Sequence, residues 1–160
     1  MRDKTCFFTG HRAIAATDIS LIRRALSGAV MDMINRGVFD FIAGGALGFD
    51  MLAAETVAEL KCEYEGVRLI LYIPCHGHDV RWNDEDKESL ERLVLAADEV
   101  RYISDAYDSE CMKRRNAAMV RDAYYCIAWY NKDCRGGTAQ TVSMAKKLGC
   151  SIRNLANEPW

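Results

Sequence analysis

Short apolar segments alternate with amphipathic helical segments along this chain, and this alternation constrains the fold more than any other feature. Most of the apolar segments lack the polar alternation of a half-exposed strand, as expected of strands covered on both faces. We predict six strands: Thr5–Thr9, Val38–Ala43, Arg68–Ile73, Glu99–Ile103, Tyr124–Trp129 and Ser151–Leu155. Such alternation is typical of a parallel sheet with right-handed crossovers. The sequence therefore predicts an α/β fold with three α/β/α layers and a mainly parallel sheet of about six strands.

Five amphipathic segments separate the predicted strands. The first has apolar residues at helical spacing between Ile19 and Met33, and Asp18 is predicted to cap its N-terminus. The fifth is predicted to end before Gly149, which would occupy the position that follows a helix C-cap. No linker, repeat or low-complexity segment interrupts the pattern, so we expect one domain over residues 1–160.

Composition disfavours several classes of protein. The 21 basic and 23 acidic residues give a net charge of −2, which argues against nucleic acid as the main partner. Seven cysteines, with no C-x-x-C pair, indicate reduced thiols rather than a disulfide framework or a zinc ribbon. The chain shows no signal peptide and no apolar run near the roughly 20 residues that span a bilayer. We therefore expect a cytoplasmic protein with no membrane contact.

Glycines concentrate directly after the first, second and fifth predicted strands. The six glycines in these positions are Gly10, Gly44, Gly45, Gly48, Gly136 and Gly137. In an open parallel sheet, ligands bind outside the carboxyl ends of the strands, where the strand order reverses. If the strands lie in the order 3-2-1-4-5-6, the two glycine-rich loops flank the reversal between strands one and four. These loops are therefore the predicted ligand site.

The loop after the first strand carries two side chains suited to a ligand. Gly10 allows the backbone to turn sharply or to approach a ligand closely. His11 offers a hydrogen bond or acid–base chemistry, and the Arg12 guanidinium suits a phosphate or a carboxylate. The alternative is a tight turn with two solvated side chains.

Two glycine-rich loops lead directly into helices. Gly44, Gly45 and Gly48 precede Asp50, and bare amides at a helix N-terminus form an anion site. Asp50 either caps that helix or accepts a ribose hydroxyl. A second opening of this kind is formed by Gly136, Gly137 and Thr138, although Thr138 alternatively acts only as the N-cap. For the loop after the second strand, the alternative is a strand-to-helix turn without a ligand.

Arg115 lies on an otherwise apolar helix face with Met112 and Met119. A buried arginine needs an anionic partner, and Asp105, Asp122 or a phosphate ligand would serve.

The loop after the third strand holds one cysteine, two histidines and one aspartate over residues 75–79. Neighbouring loop residues seldom converge on one ion, so we predict no metal site. Trp82, which follows this loop, either covers a bound base or is a buried residue at a helix entry.

Taken in order, these motifs resemble the SLOG superfamily, which holds the DNA-processing protein A family and the Lonely Guy nucleotide hydrolases. Within it, the chain looks most similar to the YpsA-like branch of small bacterial proteins. The resemblance spans nearly the whole chain and rests on four motifs, namely Thr9–Arg12, Gly44–Asp50, Met112–Met119 and Gly136–Thr138. It implies a Rossmann-like sheet whose glycine-rich loops bind a nucleotide or a nucleotide-derived ligand, such as ADP-ribose or an NAD-like molecule. No separate cofactor is expected.

The resemblance to the Lonely Guy enzymes implies nucleoside 5′-monophosphate phosphoribohydrolase activity as an alternative. Arg115, followed by Asn116, matches the arginine that serves this activity. The second motif of those enzymes, G-G-x-G-T-x-x-E, is incomplete here. Its third glycine is absent, and Thr141 stands in the position of the glutamate. The question of catalysis therefore stays open.

If the chain is a hydrolase, another carboxylate must replace the missing glutamate. Stabilising an oxocarbenium-like state or activating water requires such a group. The candidates are Asp50, Glu55 and Asp122.

A further alternative is a single-stranded DNA-binding module. Gly44, Gly45, Gly48 and Asp50 resemble the G-x-x-x-G-[IF]-D segment that is linked with DNA handling in the DNA-processing proteins. The net charge and the lack of an aromatic–basic stripe speak against this alternative. Lonely Guy relatives pair through helices that flank the sheet, so the resemblance also makes a homo-oligomer plausible.

Overall fold

A computed structural model describes residues 2–131 and 136–158. The strands are β1 (Thr5–Gly10), β2 (Asp40–Ala43), β3 (Arg68–Cys75), β4 (Glu99–Ser104), β5 (Tyr125–Trp129) and β6 (Ser151–Asn154). The helices are α1 (Ile19–Asn35), α2 (Phe49–Leu60), α3 (Asp84–Ala96), α4 (Cys111–Asp122) and α5 (Gly137–Lys147). The six predicted strands are therefore confirmed.

The strands form one parallel sheet in the order β4-β3-β2-β1-β5-β6. This differs from the order 3-2-1-4-5-6 that was assumed above: β4 lies at the edge beside β3, and β5 is the strand that returns to pair with β1. The alternation of strands and helices is the same for both orders, so the sequence pattern does not distinguish them. The strand order reverses between β1 and β5. The loops after β2 and β5 therefore flank the end of β1.

The helices cover both faces of the sheet. Along β1, Cys6 and Phe8 pack into a core shared with α1, α2 and α3, whereas Phe7 packs into a second core shared with α4 and α5. All three side chains are fully buried. Apolar side chains that point alternately into two cores explain why the strands appear in the sequence as continuous apolar runs. The predicted three-layer Rossmann-like sandwich is thus confirmed.

The helix ends agree only partly with the predictions. Gly149 has a φ of +75° and its N–H donates to the Lys146 carbonyl, as expected after a helix C-cap. Asp18 precedes α1, but its side chain makes no capping hydrogen bond, because its backbone is helical (φ −95°, ψ −12°). Thr138 lies inside α5, and Gly136 occupies the N-cap position instead.

Among the described residues, the structure shows six free cysteines, and four of them are buried. The seventh cysteine, Cys134, lies outside the described residues. Of the helices that the structure describes, none combines the length and apolar character needed to cross a lipid bilayer.

Candidate functional site

A cavity of about 210 Å³ lies at the carboxyl ends of β1, β2, β3 and β5. Its walls come from the loops after these strands and from one face of α4. The lining residues are Thr9, Gly10, Arg12, Ala46, Asp50, His78, Trp82, Met112, Arg115, Asn116, Met119, Gly137 and Thr138. The cavity therefore stands at the reversal of strand order, where ligands bind in open parallel sheets.

The structure brings more than half of the predicted site residues to this cavity. Those that line it are Gly10, Arg12, Asp50, Arg115, Asn116, Gly137 and Thr138. The other five predicted residues, which are His11, Gly44, Gly45, Gly48 and Gly136, do not line it. Several of these shape the loops around the cavity.

Arg115 is the most deeply buried charged side chain at the cavity, with 5% of its surface exposed. Its Nε donates to Asn116 Oδ1 at 2.8 Å, and its Nη1 donates to the Gly44 carbonyl and, at 3.5 Å, to the Tyr72 carbonyl. Within the described residues, no protein acceptor bonds Nη2. Every fully buried side-chain nitrogen of these residues has a hydrogen-bond partner, so Nη2 itself is not fully buried. Nη2 therefore reaches the open space of the cavity.

Asp50 lies in the first turn of α2, is 7% exposed, and lines the same cavity. Burial raises the pKa of Asp50 from 3.8 to about 6, against the opposing effects of the Arg115 charge and the Ala46 N–H. Burial also lowers the pKa of Arg115, which Asp50 counteracts. The two charges therefore act on each other, although their N and O atoms stay more than 4.0 Å apart.

Gly44 fills the narrow space between these two side chains. A Cβ on Gly44 would lie 2.7 Å from Arg115 Nη1 and 2.7 Å from Asp50 Oδ2. Only a residue without a side chain leaves room for both groups at this point. Gly44 thus leaves room for two protein side chains, and its carbonyl accepts a hydrogen bond from Arg115. It does not itself line the cavity.

The other candidate carboxylates lie elsewhere. Glu55 pairs with Arg23 at 2.7 Å, and Asp122 accepts from the Tyr72 hydroxyl at 2.6 Å and pairs with Arg121. Neither lines the cavity, and neither is among the groups that shift the pKa of Arg115. Of the carboxylates considered from the sequence, Asp50 is therefore the one that faces the cavity.

In the loop after β1, one side chain faces the cavity and the preceding one bonds the protein. Arg12 lines the cavity and makes no salt bridge or side-chain hydrogen bond with any described residue. His11 accepts the Asn131 N–H on Nε2 at 2.9 Å, which ties this loop to the residues after β5.

Gly48 explains how the loop after β1 sits against α2. Its φ is +82°, and a Cβ there would collide with the Arg12 carbonyl. The Phe49 N–H donates to the His11 carbonyl at 3.2 Å. One backbone N–H at the start of α2 is thus already bonded within the protein. Fewer free N–H groups remain there for an anion than the number of glycines suggests.

The loop after β3 adds residues that the predicted site omits. His78 Nε2 donates to the Gly45 carbonyl at 3.0 Å, and its ring makes an edge contact with Trp82 at a centroid distance of 5.2 Å. His76 turns away and stacks on Tyr102. The histidines therefore diverge, and no group of three potential metal ligands is found in the described parts of the chain.

The predicted site misses six of the lining residues, namely Thr9, Ala46, His78, Trp82, Met112 and Met119. Their position in the sequence carries a usable signal. His78 and Trp82 follow a strand end, and Met112 and Met119 share the helix face of Arg115.

The fold and the position of the cavity define a Rossmann-like α/β protein with a candidate ligand cleft at the carboxyl ends of its strands. A model of the YspA SLOG family matches residues 6–153. The chain belongs to this family.

Relatives support the same assignment. UPF0398 proteins of Bacillus cereus (strain B4264) and Bacillus thuringiensis (strain Al Hakam) are each 28% identical to this chain over 133 residues. Each match covers 82% of this chain and 72% of the relative.

The structure is also similar to that of DNA processing protein A from Helicobacter pylori, a protein with a single-stranded DNA binding mode. The TM-score is 0.64 at 16% sequence identity. The match covers 92% of this chain but only 63% of that protein. At this identity, the likeness shows a shared fold.

Proposed function

We propose that this protein binds a nucleotide or a nucleotide-derived ligand in the cleft at the carboxyl ends of its strands. The observation that carries the proposal is the pair of arginines in the cavity wall. Arg12 and Arg115 both line the cavity, and no carboxylate oxygen of the described residues lies within 4.0 Å of either guanidinium.

A phosphate explains the burial of Arg115. Removing a guanidinium from water costs several kcal/mol unless hydrogen bonds and an opposite charge compensate it. The protein supplies carbonyl and amide oxygens to Nε and Nη1. A phosphate oxygen at Nη2 would complete the set, since charge-assisted bonds from arginine to phosphate are among the strongest in proteins.

The start of α5 offers a second group for the same anion. Gly137 and Thr138 line the cavity and lie in the first turn of this helix. Amide N–H groups and the helix dipole favour a negative charge at that point. A phosphate between α5 and Arg115 would thus contact both.

The size of the cavity supports a small ligand. Its volume of about 210 Å³ is below the roughly 300–1,000 Å³ typical of sites for small molecules and cofactors. A nucleoside monophosphate therefore suits the cavity better than an NAD-like dinucleotide or ADP-ribose. The family and the fold support a nucleotide- or DNA-related binding role in general terms.

Thermal unfolding of the protein with a panel of nucleoside mono- and diphosphates, ADP-ribose, NAD and a single-stranded oligonucleotide tests the proposal. A ligand at a hundredfold excess over its Kd stabilises the folded state by about 2.7 kcal/mol. Arg115→Ala should remove this stabilisation. Arg114→Ala is the matched control, because Arg114 is exposed and pairs with Asp108. If no phosphorylated nucleoside raises the melting temperature, the proposal is wrong.

One observation favours hydrolysis of the N-glycosidic bond as a second candidate. Asp50 lines the cavity beside Arg115, and burial raises its pKa to about 6. A carboxyl group with a pKa near the working pH is suited to transfer a proton. Asp50 would then take the role of the glutamate that is absent at Thr141.

Release of free base from nucleoside 5′-monophosphates measures this activity. We expect Asp50→Asn to abolish release while the nucleotide still binds, because the amide keeps the shape but holds no transferable proton. Glu55→Gln is the matched control, since Glu55 pairs with Arg23 outside the cavity. Binding without base release by the unaltered protein would leave the ligand-binding proposal standing and reject catalysis.

A further inference from the structure

We propose that Trp82 and His78 form a base-binding subsite, so that the cleft selects nucleoside monophosphates over phosphoribose. This inference rests on the proposed function, because it assigns a second end to the same cavity. The arginines account for binding of a phosphate, and this subsite would bind the base.

The strand order separates the two ends of the cavity. His78 and Trp82 follow β3, whereas Gly137 and Thr138 follow β5, and β2 and β1 lie between these strands. Three strand spacings of roughly 4.8 Å place the two loops about 14 Å apart. Arg115 and Asp50 stand between them, because Arg115 bonds the carbonyl of Gly44 just after β2. An elongated ligand can therefore contact both loops at once.

The two ends differ in chemistry. The end near β5 holds the amides of the α5 start and the Asn116 side chain, which accepts from Arg115. The end near β3 holds an indole and an imidazole. A phosphorylated nucleoside has the same division, with an anion at one end and an aromatic ring at the other. The ligand would thus lie with its phosphate toward α5 and its base toward Trp82.

Trp82 is half-buried and has unused binding capacity. Its ring packs partly against the core and lines the cavity, and the described residues give its indole N–H no hydrogen-bond partner. The edge contact with His78, at an interplanar angle of 75°, occupies at most one face of one ring. A nucleobase can therefore stack on an aromatic face here, a contact that every base can make.

His78 is held in one tautomer beside this ring. Its Nε2 carries the proton that bonds the Gly45 carbonyl, so its Nδ1 is an acceptor. Burial lowers the pKa of His78, and the Arg115 and Arg12 charges act in the same direction. The ring stays neutral at pH 7 and offers a single acceptor to an N–H group of a base.

Binding isotherms for AMP, GMP, CMP, UMP, ribose 5-phosphate and inorganic phosphate test the subsite. We expect at least one nucleotide to bind tenfold or more tightly than ribose 5-phosphate. Trp82→Leu, which keeps an apolar side chain without an aromatic face, should weaken the nucleotide by about tenfold and leave ribose 5-phosphate unchanged. Trp82→Phe, which keeps an aromatic face, should bind the nucleotide nearly as tightly as the unaltered protein does.

Tyr107→Ala is the matched control, because Tyr107 is 71% exposed and does not line the cavity. Equal affinity for ribose 5-phosphate and all nucleotides would overturn the subsite while the phosphate site stands. An equal loss for nucleotide and ribose 5-phosphate in Trp82→Leu would also overturn it. If none of the six compounds binds, this inference fails. The proposed function fails with it only if nucleoside diphosphates, ADP-ribose and NAD also leave the melting temperature unchanged.

Discussion

Arginines gather in two regions of this protein, at opposite ends of the strands. At the carboxyl ends, Arg12 and Arg115 line the cleft. At the amino ends, a cluster that we call the amino-end cluster joins three arginines to three carboxylates. Its members are Arg68, Arg101, Arg121, Asp40, Glu99 and Asp122.

The two regions differ in how the charges are satisfied. In the amino-end cluster, Arg101 pairs with Glu99 at 2.6 Å and Arg121 with Asp122 at 2.9 Å, and these arginine side chains are 50% and 71% exposed. In the cleft, Arg115 is 5% exposed and has no comparably close carboxylate among the described residues. Exposure to solvent and close carboxylates compensate the charges of the cluster, whereas Arg115 is buried and its Nη2 has no acceptor among the described residues.

The cleft is not the largest space in the described structure. The space beside the amino-end cluster measures about 510 Å³ and one between β4 and α4 about 770 Å³, against about 210 Å³ in the cleft. The cleft differs from these larger spaces in holding a buried arginine that no described carboxylate pairs.

The largest expected effect concerns the opposite pH dependence of two carboxylates. The folded-state pKa of Asp50 is about 6 against 3.8 ordinarily, so the folded state binds the proton more tightly. Its stabilising contribution is full below pH 4 and is lost as the pH rises through 6, by about 3 kcal/mol. Denaturant unfolding from pH 4 to 8 should show this decrease, and Asp50→Asn should flatten it.

Asp122 provides the contrast. Hydrogen bonds from Arg121 and from the Tyr72 hydroxyl hold the pKa of Asp122 below its usual value, against the effect of burial. Its contribution is therefore present above pH 4 and lost as the pH falls below that value. Asp122→Asn should leave the slope between pH 4 and 6 unchanged. A slope that disappears in Asp122→Asn rather than in Asp50→Asn would show that Asp50 is not the source of this pH dependence.

A smaller effect is expected from filling the space at Gly44. The added methyl group of Gly44→Ala would press on Arg115 and Asp50, so we expect a loss of about 1–3 kcal/mol in the free energy of unfolding. Gly28→Ala is the control, because Gly28 lies inside α1 and a Cβ there meets no atom within 4 Å. That variant should be neutral or slightly more stable. Equal stability of the two variants would show that the cleft is loosely packed.

Arg12 should matter for binding and not for folding. Its guanidinium bonds no described residue, so Arg12→Ala should weaken a phosphorylated ligand by about tenfold, or ~1.4 kcal/mol. Titration calorimetry measures this change. Arg68→Ala in the amino-end cluster should bind the ligand as the unaltered protein does. A similar loss in both variants would mean that net charge alone attracts the ligand.

The smallest effect is expected in the amino-end cluster itself. The Arg101–Glu99 pair is partly exposed, so a double-mutant cycle should give a coupling of less than about 1 kcal/mol in the free energy of unfolding. Salt at 1 M should reduce it further, because the screening length falls to about 3 Å. A coupling several times larger would show that this exposed pair is as strongly coupled as a buried one.

The sequence predicted much of the fold for a physical reason. Residues such as Phe7 and Phe8 alternate between two buried cores, and this produces the continuous apolar runs from which the strands were predicted. Local patterns also pointed to Arg115, since an arginine on an apolar helix face must find compensation inside. Asp18 does occupy the N-cap position of α1, but it makes no capping hydrogen bond, because that bond depends on a backbone conformation that composition alone does not specify.

By itself, the sequence determined the six strands, the parallel α/β class, the glycine-rich loops at strand ends and the arginine of α4. Tertiary structure alone decided the strand order, which places β1 between β2 and β5. It also decided that Asp50, and neither Glu55 nor Asp122, faces the cavity with Arg115. The physical reason is distance along the chain. Periodicity reports which side of an element is buried, whereas the pairing of strands and side chains far apart in sequence depends on how those buried sides pack together.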